Sequence, residues 1–117
     1  MERRNMKRLE VKDYYSADIA DLEDFSPDDV NNFYFHLEFN INEVSDERSS
    51  IFSVVVATPY SLNQRKINVK TSKTKFLVVN QFDWNEIKNK IKRITEDCQC
   101  DYSNIEVLLD YFNWEYE

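Results

Sequence analysis

Phe33, Phe35, Leu37, Phe39 and Ile41 alternate with Tyr34, His36, Glu38, Asn40 and Asn42. A period of two is the repeat of a strand with one face in a core and the other toward water. The run 51–57 (IFSVVVA) is apolar nearly throughout. It predicts a more central strand, antiparallel to the first across a hairpin over the turn-prone stretch 43–50. Pro59, after Thr58, ends that strand because proline cannot continue a ladder. Further strands are predicted at 75–80 (KFLVVN) and at 7–13 (KRLEVKD), the latter alternating Leu9 and Val11 with charge as an edge strand does. Tyr60–Gln64 reads as a helical turn and Arg65–Thr74 as a polar loop.

Beyond this point the period changes. Trp84, Ile87, Ile91, Ile94 and Cys98 follow one another at spacings of three, four, three and four, a single helical stripe. Asp83 caps its first turn, with Glu86 in the box position. A second helix opens at Ser103 with Glu106 in the same position and is expected to bury Ile105, Leu108, Leu109 and Phe112. The tail 113–117 (NWEYE) alternates again, as a short final strand would. The pattern predicts an α+β fold: an antiparallel β-sheet meander with two C-terminal helices packed on one face. With no internal repeat or linker, residues 1–117 are expected to form a single domain, frayed over 1–5.

Composition sharpens this reading. An apolar fraction of 42% and an aromatic fraction of 15% predict a folded globule despite 32% charged residues. No apolar run approaches a membrane span and no secretory leader opens the chain, so a cytoplasmic protein is expected. Glycine is absent, which removes glycine-rich phosphate cradles and dinucleotide fingerprints and leaves left-handed backbone positions to Asn or Asp. Cys98 and Cys100 read as reduced structural thiols at a helix end, since a soft-metal site needs two more ligands and the one histidine, His36, is remote.

Charge is sorted into blocks. From Asp13 to Glu47 there is no Lys or Arg; from Arg48 to Arg93 the only carboxylates are Asp83 and Glu86; from Ile94 onward there is again no cation. The net charge of −7 is the remainder of these opposed blocks. An acidic first block attracts basic partners and repels nucleic acid and anionic membrane. Within it Asp21, Glu23, Asp24, Asp28 and Asp29 form the candidate docking patch, with Phe25, Tyr34 and Tyr60 as aromatic anchors. The plainer reading is a solvated loop in which Ser26 caps a helical turn begun by Pro27; it accounts for Asp28 and Asp29 but not for Asp21, Glu23 or Asp24. His36 falls on the wet face of its strand with no nucleophile assigned to it by motif. The basic stretch from Arg65 to Lys75 lacks interleaved aromatics, which favours a solvated loop, or a partner for the acidic blocks, over a nucleic-acid site. No catalytic, cofactor or metal residues are assigned, and no enzyme is expected.

Several segments together resemble a known family. The stretch 21–29 (DLEDFSPDD) followed by Phe33, then Phe52, Val56 and Thr58–Pro59, then 82–84 (FDW) with Ile87, and finally 114–117 (WEYE), are similar in order and register to the immunity protein 8 family of bacterial polymorphic toxin systems. The resemblance runs from about Met6 to Glu117. It implies a small cytosolic protein that binds and neutralises a cognate toxin domain. Joined to the acidic block, it points to a nuclease or another toxin with a basic active-site face. The competing class is an acidic interaction module or nucleic-acid mimic unrelated to a toxin, and the third a small hydrolase.

Overall fold

The computed structural model describes residues 9–43, 49–98 and 102–116. The expected fraying of 1–5, the hairpin tip and Cys100 lie outside these residues, and the proposed cap by the Ser103 side chain also falls outside what is described.

Among the described residues five strands make one sheet: β1 (Leu9–Tyr15), β2 (Tyr34–Glu43), β3 (Ser49–Ala57), β4 (Phe76–Val78) and β5 (Asn113–Tyr116). β2 pairs antiparallel with β1 on one side and with β3 on the other. The far edge of β3 is shared: β4 lies along Val55–Ala57, and β5 along Ile51–Ser53. Asn113 Oδ1 accepts the Lys75 N–H at 3.2 Å and so ties the two short strands together.

The antiparallel meander is corrected at β4, which runs parallel to β3. Parallel neighbours need a long crossover. Residues 58–75 supply it, including helix α1 (Pro59–Gln64). Thr58 and Ser61 form a complete capping box at its start, with proline in the first turn. Its end is a Schellman motif: Ile67 N–H donates to Leu62 O at 3.0 Å and Lys66 N–H to Asn63 O at 3.1 Å. Ile67 and Leu62 then pack in one apolar cluster.

The left-handed residue of this motif is Lys66, φ 58°, where glycine is usual. Among the described residues Asp13, φ 60°, takes the other such position, as the lack of glycine predicts for an Asp but not for a Lys. Lys66→Gly should therefore stabilise the fold by about 0.5–1 kcal/mol, the left-handed penalty less the added chain entropy of glycine. A rise in the urea midpoint is the expected result; an unchanged or lower midpoint would contradict this backbone assignment.

Cross-strand register builds the main core. Phe35 faces Val56, Leu37 faces Val54 and Phe39 faces Phe52, all buried. Helix α2 (Trp84–Asp97) lays Trp84, Ile87 and Ile91 on this face. Asp83 caps α2, accepting the Glu86 N–H at 3.2 Å. Ile105, Leu108 and Phe112 complete the layer. The second helix is corrected too, because Tyr102–Asp110 is a 3-10 helix. At three residues per turn Ile105 and Leu108 share a line and Leu109 does not, so Leu109 is 36% exposed rather than buried.

On the other sheet face Val55, Ala57 and Leu62 form a second cluster with Tyr34, Ile67 and Phe76. Cys98, which ends α2, is disulfide-bonded. This corrects the expectation of a reduced thiol at Cys98.

Candidate partner-binding surface

The connection 16–33 carries the acidic patch from β1 to β2, and its apolar residues decide how it lies. Ile19 and Leu22 are buried against the main core. Phe25 is half-buried, edge-on to Phe82 at 5.2 Å and 6.1 Å from Phe35. With these residues inward, the polar residues between them point out. So placed, the Phe25 ring holds the loop to the core while remaining partly exposed.

Short polar contacts fix the rest. Where β1 ends, Asp18 takes over its role along β2: its Oδ2 accepts the His36 backbone N–H at 2.8 Å and lies 3.2 Å from His36 Nδ1. The backbone donor, with the imidazole beside it, holds the Asp18 carboxyl below its ordinary range. Asp21 Oδ1 accepts the Glu23 N–H at 3.1 Å, and Asp29 Oδ1 the Asn31 N–H at 2.9 Å, each closing a local turn. Phe82 N–H donates to Val30 O at 2.8 Å and Asn31 Nδ2 to Asn80 O at 3.1 Å, tying the loop to the segment before α2. The predicted helical turn from Pro27, capped by Ser26, is not formed; turns centred nearer 22–25 and 29–32 replace it. Asx bonding competes successfully with a helix start here.

One contact was invisible to the sequence reading. Glu23 Oε2 accepts the Trp84 indole N–H at 2.8 Å, across a separation of 61 residues, and lies 3.4 Å from Lys88 Nζ. Lys88 Nζ also stands 5.2 Å over the Trp84 ring. A buried indole needs an acceptor, so Trp84 signals that some partner exists without naming it. The indole N–H, followed by Lys88, holds the Glu23 carboxyl below its usual value. A depressed folded-state value contributes stability that is present above the unfolded value and lost as pH falls through the folded one. The Trp84 indole N–H resonance should accordingly titrate with a midpoint below 4.5, the ordinary glutamate value. A midpoint at or above 4.5 would mean that the bond is not made in solution.

Beside this pair lies a groove of about 300 Å³, walled by Tyr14, Tyr15, Ile19 and Trp84 with Asp21 and Glu23 at its lip. Tyr14 meets Trp84 edge-on at 5.4 Å, and burial raises its phenol above the ordinary value. Asp21, Asp24, Asp28 and Asp29 are exposed, and none forms an ion pair with another described residue. The basic loop after α1 does not reach them: Arg65 lies over the Tyr34 ring at 3.9 Å, and Lys66, Lys70 and Lys73 are exposed with no described ion pair. Tyr34 and the exposed Tyr60 sit with α1, on the other side of the sheet from Leu22 and Phe25. The sequence-predicted set is thus divided. The carboxylates share one connection, while the two tyrosines belong to the second cluster.

His36 is exposed on its strand, as expected, with Asp18 for a neighbour. Among the described residues no group of three or more His, Cys, Asp or Glu side chains is placed to hold a metal ion, and no helix is long and apolar enough to cross a membrane.

A family model described as Immunity protein 8 matches residues 9–117, nearly the whole chain. The chain belongs to the Immunity protein 8 family. No curated protein and no solved structure matches it. The match takes in β1, the acidic connection, Trp84 and β5 alike, so this member of the Immunity protein 8 family carries its candidate surface within the matched region.

Proposed function

We propose that this Immunity protein 8 family member binds and neutralises a cognate bacterial polymorphic toxin domain in the cytoplasm, by contact rather than catalysis. The observation that carries the reading is the connection 16–33, pinned by Leu22, Phe25 and Glu23, which holds Asp21, Asp24, Asp28 and Asp29 outward without intramolecular cations among the described residues. Uncompensated carboxylates on a fixed backbone suit a basic surface, and a nuclease is basic where it grips phosphates. The target is accordingly a nuclease or another toxin with a basic active-site face. Such charges accelerate encounter, whereas exposed ion pairs contribute only about 0–1 kcal/mol each to affinity. Aromatic contacts must supply the rest, and Tyr15, 58% exposed beside the groove, is better placed for this than Tyr34 or Tyr60.

The same field disfavours nucleic acid and anionic membrane as partners of this face. The proposal treats residues 1–117 as one domain acting stoichiometrically. The experiment is protection: cells expressing the cognate toxin domain should grow when the chain is co-expressed. Continued killing, with both proteins present and folded, would overturn the reading.

A further inference from the structure

The groove beside Trp84 has a chemistry narrower than general acidity. Its walls are aromatic (Tyr14, Tyr15, Trp84), its lip is anionic (Asp21, Glu23), and its volume is about 300 Å³. Two of its lining residues already hold a cation that does not itself line the groove: the Lys88 ammonium lies 3.4 Å from Glu23 Oε2 and 5.2 Å over the Trp84 ring. Aromatic faces and a carboxylate together attract a cation, and a planar guanidinium stacks on rings and bridges carboxylate oxygens better than an ammonium does. Lys88 satisfies only Glu23, while Asp21 has no described cation.

We propose that this groove receives an arginine side chain of the toxin, stacked against the aromatic wall and bridged to Asp21 and Glu23, in competition with Lys88 for the Glu23 carboxylate. The proposal rests on the toxin-binding reading and names where one central contact is made. An Asx turn fixes the backbone between the two, because Asp21 Oδ1 accepts the Glu23 N–H. Ile19 and Leu22, both buried in the core cluster, anchor this part of the connection.

The test uses the full chain and a small probe, so it does not depend on the toxin. Acetyl-arginine-amide, acetyl-lysine-amide and neutral acetyl-citrulline-amide are titrated into isotopically labelled protein, following the Trp84 indole N–H. The expected result is a saturable shift at millimolar arginine amide, a weaker response to lysine amide and none to citrulline amide. Lys88→Met should tighten arginine binding several-fold by removing the cation that competes for Glu23, whereas Glu23→Gln should abolish it. A purely structural Glu23–Trp84 contact gives no tightening in Lys88→Met. Equal responses to arginine and citrulline, no response to arginine, or preference for lysine would overturn the proposal. If the probe fails while co-expression still protects cells, the groove is wrong and toxin binding stands; if protection fails while the probe binds, the toxin reading is what falls.

Discussion

Phe39→Ala should destabilise the fold by about 3–5 kcal/mol, a large part of the roughly 5–15 kcal/mol available to a domain. Phe39 is 1% exposed at the middle of β2, paired across the sheet with Phe52 and edge-on to Phe112 at 4.9 Å. Tyr14 also reaches it at 6.1 Å, so one ring joins β1, β2, β3 and the chain after the 3-10 helix. Truncation removes both buried area and the partner of those rings, and elements joined by β-pairing cannot collapse freely to fill the space. Urea denaturation measures the loss, with Tyr60→Ala, exposed on α1, expected to stay within about 0.5 kcal/mol of the parent. A loss at Phe39 of under about 1 kcal/mol would place the core elsewhere.

The second large effect is kinetic. Reversing Asp24 and Asp28 to Lys should slow association with the cognate toxin about tenfold or more at low salt. These two are chosen because both are exposed and neither has a hydrogen bond or ion pair to another described residue, whereas Asp21 and Glu23 also shape the loop. Stability should change little, since exposed substitutions are usually within about 0.5 kcal/mol of neutral. The gap between parent and variant should narrow as salt rises, because screening shortens to about 10 Å at 0.1 M. Stopped-flow mixing across ionic strength reads both. An unchanged rate and salt slope would move the docking surface off this connection, with the C-terminal carboxylates Glu106, Asp110 and Glu115 the next to reverse.

Much of the fold is legible in the sequence wherever burial imposes a period. The alternation around Phe35, Leu37 and Phe39 predicts β2, the apolar run 51–57 predicts β3 as central, and the stripe from Trp84 to Ile91 predicts the buried line of α2. Direction is not periodic, so β4, three residues long, gives no sign that it runs parallel to β3. The 3-10 helix escapes for a related reason: Ile105 and Leu108 fit either helix, and only the exposure of Leu109 separates them.

The candidate surface is legible as charge but not as shape. A run of carboxylates without cations is visible from composition. That Asp18 caps a strand edge, that Asp21 and Asp29 close turns, and that Glu23 takes the Trp84 indole N–H all depend on which neighbours the fold brings near. Phe25 illustrates the limit, because nothing in an acidic run shows that its ring packs beside Phe35 and Phe82.

The central claim, stoichiometric neutralisation through binding, is tested most directly by titrating the purified cognate toxin with this protein and measuring residual toxin activity. The account predicts that activity falls linearly to zero at one equivalent and stays there, with the toxin recoverable intact from the complex. Full activity in the presence of excess protein, or complete loss far below one equivalent with the toxin chemically altered, would contradict it.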